Sequence, residues 1–198
     1  MSTITKIVFR YPMKNLFALL ALSFLTMASL EAMPAQVIVL RHAEKANQGN
    51  SLSLKGRERA AALAPYLSET ESLLNYGPPV AIYAVAASAG DSPLWSIETV
   101  RPLAEKLKLP LIDKYGRDNY KFMVEEIKNN PAYHAKTIVI CWEHLVIPEI
   151  ARAFAALQTP NRWTSEVYDR LWIITFSTTG RANFQNLPQR LLYGDTLN

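Results

Sequence analysis

The chain reads as an α/β protein, a three-layer α/β/α sandwich with a mainly parallel central sheet. Three observations predict it. After residue 32, short Val/Ile-rich runs alternate with amphipathic stretches, the pattern of strands joined by crossover helices. The runs are continuously apolar rather than alternating, which suits strands covered on both faces. The composition, 49% hydrophobic and 19% charged over 198 residues, provides for one domain with a substantial core and excludes a disordered chain.

The N-terminus stands apart from that pattern. Lys6, Arg10 and Lys14 come first, an uncharged run follows over residues 16–30, and small residues stand at Ala28, Ala32 and Ala35. This is the order of a secretory signal peptide, so residues 1–32 are expected to be removed and residues 33–198 to form an exported domain, periplasmic or secreted. The run is short against the roughly 20 apolar residues of a spanning helix. An uncleaved anchor is the alternative, and only then is a membrane partner expected. The formal charge of +4 owes half its value to this segment, where Glu31 is the only acid. The pI of 9.2 therefore gives no reason to expect a nucleic-acid partner. The single cysteine, Cys141, excludes an intramolecular disulfide and a thiolate metal cluster; within an apolar run it reads as a small core residue.

The first strand is expected at residues 36–40. A polar loop over 47–53 leads to a helix on the stripe Ala60, Leu63, Ala64 and Leu67. A strand at 80–85 and a loop at 86–92 precede a second helix on Ile97, Val100, Ala104 and Leu107, with Ser92 as N-cap and Pro93 at its first position. Pro65 and Pro102 should kink or shorten these two helices. A short strand near 109–112 comes next, then a helix on Tyr120, Met123, Val124 and Ile127, and a strand at 137–142. A helix on Ile147, Ile150, Ala151 and Phe154 and a strand at 171–176 complete the series. Tyr115, Tyr120, Trp142 and Trp163 read as core aromatics, and His134 as a surface residue.

Two of the three histidines lie just past apolar runs, in Arg41-His42-Ala43-Glu44 and in Cys141-Trp142-Glu143-His144. Ligands of open α/β sheets bind outside the carboxyl ends of the strands. If the two strands are parallel neighbours, both imidazoles and Arg41 meet in one crevice suited to an anion and to phosphoryl transfer. The plainer alternative pairs Arg41 with Glu44 and leaves both histidines as strand-end caps.

Arg41-His42-Ala43-Glu44 after the first strand, Leu52-Ser53-Leu54-Lys55-Gly56 entering the first helix beside Arg57, and His144 after a later strand together resemble the histidine phosphatase superfamily, the phosphoglycerate mutase-like proteins. The resemblance covers roughly residues 36–176. It implies His42 as a phosphate-accepting nucleophile, with Arg41 and His144 in the phosphate pocket, where His144 adds a charged donor if protonated, and it requires no metal or other cofactor. Glu44, Arg57, Glu143 and Trp95 are the expected substrate-binding positions, and the expected substrate is a small phosphorylated or anionic molecule. For the leaving-group proton donor Asp118 is preferred to Glu125 and Glu143, because it falls in a loop before a helix.

The chain departs from the family pattern at two places. A second phosphate-binding arginine is expected three residues before Glu98-Thr99, and Trp95 stands there instead. Arg101 and Arg117 are the candidates to replace it. Losing one such donor commonly costs about 10²–10³ in rate, so a weakly active or purely anion-binding protein is the alternative function. Leu145 replaces a glycine after the second histidine, which implies a tighter or more apolar pocket.

Overall fold

The computed structural model describes residues 33–87 and 93–196, so the signal-peptide reading of residues 1–32 and the N-cap assigned to Ser92 lie outside the described residues. Six strands form one sheet: β1 (Gln36–Arg41), β2 (Pro79–Val85), β3 (Leu111–Tyr115), β4 (Thr137–Trp142), β5 (Arg170–Phe176) and β6 (Ala182–Pro188). Their order is β3-β2-β4-β1-β5-β6. The β3-β2-β4-β1 part is parallel throughout; β5 runs antiparallel to β1, and β6 antiparallel to β5. The helices are α1 (Leu54–Glu69), α2 (Trp95–Leu107), α3 (Tyr120–Asn129) and α4 (Ile147–Ala153).

The most apolar runs take the centre. Every residue of β1 and β4 is buried. Successive side chains of a strand point to opposite faces. Val37, Val39, Ile138, Ile140 and Trp142 pack on one face with Met123 and Ile127 of α3 and Ile147 and Ile150 of α4. Ile38, Leu40, Val139 and Cys141 pack on the other with Leu63 and Leu67 of α1 and Val100 and Leu103 of α2. The three-layer sandwich follows directly from this division.

Four elements differ from the sequence reading. The third strand is Leu111–Tyr115 rather than 109–112, because Leu109 still belongs to the end of α2. Lys108 there turns left-handed at φ 53°, and the Leu109 amide donates to the Ala104 carbonyl at 3.0 Å. Helix α2 starts at Trp95, not Pro93: the Leu94 amide is drawn to the Asn50 carbonyl at 3.0 Å, and the first helical bond runs from the Glu98 amide to the Leu94 carbonyl. Pro65 and Pro102 both sit inside helices that continue past them, to Glu69 and Leu107. Strand β6 was not anticipated. Its sequence, ANFQNLP, is polar and largely exposed, as an edge strand can be. A tight turn through Gly180, at φ 76°, folds it back onto β5.

Candidate active site

Strands β1 and β4 are in register, with Arg41 opposite Trp142, so their carboxyl ends finish together. The His42 amide donates to the Trp142 carbonyl at 3.2 Å, one step beyond the last strand pair. His144 lies in the turn that follows β4. The parallel pairing therefore places Arg41, His42 and the turn bearing His144 at one sheet edge, as the strand-end positions implied.

His42 is 2% exposed and held by its surroundings. Its Nδ1 lies 2.8 Å from the Ala43 carbonyl, which can only accept, so Nδ1 carries the proton and Nε2 the lone pair. Burial pushes the imidazole pKa down to about 4; the Ala43 bond opposes this, while the charges of Arg41, Lys45 and His144 add to it. At neutral pH the ring is uncharged and presents a free nitrogen.

The loop carrying His42 is tied down from three sides. The Ala43 amide donates to Thr99 Oγ1 at 2.8 Å, and that hydroxyl donates to the Trp95 carbonyl at 2.6 Å, joining the loop to α2. Glu98 of the same helix accepts from the Leu52 amide at 2.7 Å. Ser53 caps α1 by accepting from the Gly56 amide at 3.0 Å, while its own amide donates to the Glu44 carbonyl at 2.9 Å. Gly56 makes this close approach possible: a Cβ there would stand 2.2 Å from the Glu44 carbonyl oxygen. The glycine of the Leu-Ser-x-x-Gly segment is thus a packing requirement of the loop that carries His42 and Glu44.

Arg41 is 2% exposed and does not pair with Glu44. Its Nη1 donates to the carbonyls of Ser165 and, at 3.2 Å, Val167. Its guanidinium lies over the Tyr168 ring, 3.8 Å from the centroid. Its Nε is buried with no hydrogen-bond partner. The fork expected to face a phosphate is therefore partly taken up, at Nη1, by the 165–168 segment, while Nε is buried and unpaired.

Glu44 is taken up elsewhere. Both its carboxylate oxygens accept from Arg59 of α1, at 2.8 and 2.9 Å. Arg59, 1% exposed, also donates to Asp195 at 2.7 and 3.0 Å and to Gln189 at 3.0 Å. Burial opposes the charge on Arg59, but the hydrogen bonds from the two carboxylates outweigh it and raise its pKa. Glu44 braces the loop bearing His42 against the C-terminal segment, which accounts for both carboxylate oxygens.

His144 is half-buried, and its Nδ1 is buried without a partner. Burial lowers its pKa first, and the charges of Arg41 and Lys45 lower it further against a smaller opposing effect of Glu143. Burial first, and then the positive charges of Arg41, Lys45 and Arg117, disfavour protonation of His144. Trp95 stacks on His42, ring centroids 5.3 Å apart, and its indole Nε1 is also buried without a partner. Lys45 Nζ lies 4.3 Å from the Trp95 ring centroid, on its face.

The structure does not bring all the remaining expected residues to this centre. Arg117 gathers two of the carboxylates, with Nε to Glu143 at 2.6 Å and Nη1 to Asp118 at 3.2 Å. Its carbonyl accepts from Trp142 Nε1 at 3.1 Å, which fixes the segment to the end of β4. Glu125 pairs instead with Lys128 on its own helix, at 3.6 Å. Arg57 donates to the Leu52 carbonyl at 2.8 Å and lines a groove with Arg101, Glu98 and Pro102 between α1 and α2. Leu145 is 63% exposed and does not tighten the pocket; its turn places it outward. Tyr168, Lys45 and Thr99 are site residues that the sequence reading did not single out. Trp142 and Trp163 are core aromatics, as expected.

No family model matches the chain, and no curated protein matches it. Solved structures do. A protein histidine phosphatase SixA complexed with tungstate is 13% identical, with a TM-score of 0.53, covering 78% of this chain and 97% of that one. A phosphoglycerate mutase from Plasmodium falciparum is 15% identical, with a TM-score of 0.54 and coverage of 82% and 96%. A phosphoglycerate mutase from Bacillus anthracis str. Sterne is 13% identical, with a TM-score of 0.54 and coverage of 77% and 92%. The fold is that of the phosphoglycerate mutase-like, or histidine phosphatase, proteins.

Proposed function

We propose that the chain is an exported phosphomonoester hydrolase of the histidine phosphatase type, acting without a metal through a phosphohistidine at His42. The observation that carries this reading is the state of His42: a buried, uncharged ring with Nδ1–H fixed on the Ala43 carbonyl and Nε2 unprotonated. An imidazole so held is an activated nucleophile at neutral pH. The likeness in fold to a histidine phosphatase complexed with tungstate, a tetrahedral oxyanion, supports the reading.

In the first step Nε2 forms a bond to phosphorus and the P–O bond to the leaving group breaks, its electrons leaving with that oxygen. Asp118 is the proposed donor of the proton that oxygen takes up; the Arg117 segment holds it beside the end of β4. In the second step water attacks phosphorus while the Asp118 carboxylate takes up its proton, the N–P bond breaks with its electrons returning to Nε2, and inorganic phosphate, neutral His42 and protonated Asp118 result. Arg41 Nε, His144 and the Trp95 indole N–H are the unpaired donors available to the phosphoryl oxygens, where positioning and charge stabilisation supply most of the catalysis.

A second reading, an anion-binding protein with little turnover, is favoured by Trp95 in the arginine position and by the engagement of Arg41 Nη1 with backbone carbonyls. Turnover of an aryl phosphate by the wild type and by His42→Ala separates the two. The hydrolase reading expects release of phosphate to be lost in the variant; equal rates would exclude it. The length of the mature chain, read by mass spectrometry after expression with its N-terminus intact, tests the export proposal: a new N-terminus near residue 33 is expected, and an intact one contradicts it.

A further inference from the structure

The pocket needs a second permanent cation if it is to hold a doubly charged phosphate. Of the two arginines expected to supply it, Arg117 is already paired with the carboxylates of Glu143 and Asp118. Arg101 lines a different groove, between α1 and α2, beside Glu98 and Glu105. Lys45 is different. It is exposed, it follows the nucleophile loop directly, and among the described residues no carboxylate lies in an ion pair with it. Its chain is pinned by a bridge to Leu52, so the side chain starts from a fixed position. The ammonium rests on the face of Trp95, 4.3 Å from the ring centroid, and the same ring stacks on His42 at 5.3 Å. Contact with a π face attracts the charge while leaving the ammonium N–H donors unpaired. The field of Lys45 reaches both His42 and His144.

We propose that Lys45, carried on the indole of Trp95, is the second cation of the anion pocket and binds the non-bridging oxygens of a phosphate monoester together with Arg41 and His144. The inference rests on reading this pocket as a phosphoryl site. It gives Trp95 a role in place of the missing arginine: its ring face orients Lys45, and its buried, unpaired Nε1–H points to the same class of ligand. The pair divides between two residues what one arginine does, a charge and a directed donor.

The test is calorimetric titration of inorganic phosphate into the full chain and its variants, beside turnover of an aryl phosphate. Lys45→Met should weaken phosphate binding about tenfold, the loss expected for one charge-assisted contact. Lys45→Arg should restore it to within about threefold, since a guanidinium also stacks on an indole. In a Trp95→Leu background, Lys45→Met should have a clearly smaller effect, because the platform is gone. Unchanged phosphate affinity in Lys45→Met, or an equal effect with and without Trp95, would overturn the proposal. The outcomes separate it from the hydrolase reading. Lys45-dependent phosphate binding with no His42-dependent turnover upholds this inference and sinks the hydrolase. His42-dependent turnover with Lys45-independent binding does the reverse. A wild type that binds no phosphate overturns both.

Discussion

Two arginines, eighteen residues apart in sequence, are buried almost equally, at 2% exposure for Arg41 and 1% for Arg59, and they live in opposite surroundings. Arg59 is surrounded by acceptors, with two carboxylates and an amide oxygen covering its guanidinium. Arg41 makes no ion pair among the described residues, though the charges of Glu166 and Glu44 reach it; two backbone carbonyls and the Tyr168 ring hold it, and its Nε is unpaired. The Arg59 region is electrostatically complete and joins the His42 loop, α1 and the C-terminal segment. The Arg41 region is less completely paired: the positive charges of Arg41 and Lys45 act on two imidazoles, His42 and His144. A buried polar group that is already satisfied stabilises the fold. One that is left unsatisfied marks where a ligand of the opposite charge belongs.

The sharpest way to break this contrast is to remove each arginine in turn. Arg59→Ala removes the guanidinium shared by the Glu44 and Asp195 carboxylates and should cost about 3 kcal/mol of stability, read as a lowered urea midpoint. Arg41→Gln should lower kcat/KM on an aryl phosphate by about 10²–10³ while shifting the urea midpoint less than Arg59→Ala does. Equal destabilisation by the two variants would erase the distinction.

The pH dependence sharpens it further. The His42 pKa is lowered to about 4 in the folded state, against an ordinary value of 6.5, so the unfolded chain binds the extra proton first. Its contribution to stability is complete above pH 6.5 and falls as pH drops from there toward 4, by about 3 kcal/mol in all. His42→Gln should flatten that part of the stability profile. An unchanged profile would mean that the ring is not buried neutral. A smaller effect is expected on the brace of the loop itself. Gly56→Ala forces a methyl against the Glu44 carbonyl and should cost about 2 kcal/mol, with activity falling alongside.

The parts legible in the sequence are those in which one local property decides. The buried strands are continuous apolar runs, and the parallel pairing of β1 with β4 turns two sequence-distant histidines into neighbours. Ser53 and Gly56 could be read as a helix entry, though the close approach to the Glu44 carbonyl emerges only in three dimensions. The rest depends on partners far along the chain. Glu44 could not be assigned to Arg59 without knowing that Asp195 closes the other side of that guanidinium. Tyr168 lies in an irregular segment with no periodic signal, and only the fold brings it beneath Arg41. Strand β6 carries Asn, Gln and Pro because it is a half-exposed edge, so pairing with β5 rather than apolar pattern defines it. Lys45 reads as a loop lysine until Trp95 is placed under it.

The account stands on His42 Nε2 as the atom that takes the phosphoryl group. Mixing the wild-type protein with an activated phosphoryl donor, quenching at alkaline pH where phosphohistidine survives, and locating the modification by mass spectrometry and ³¹P NMR tests this directly. The expected result is a single phosphoryl group on His42 at Nε2, absent from His42→Ala. Phosphorylation at His144, or none during turnover, would contradict it.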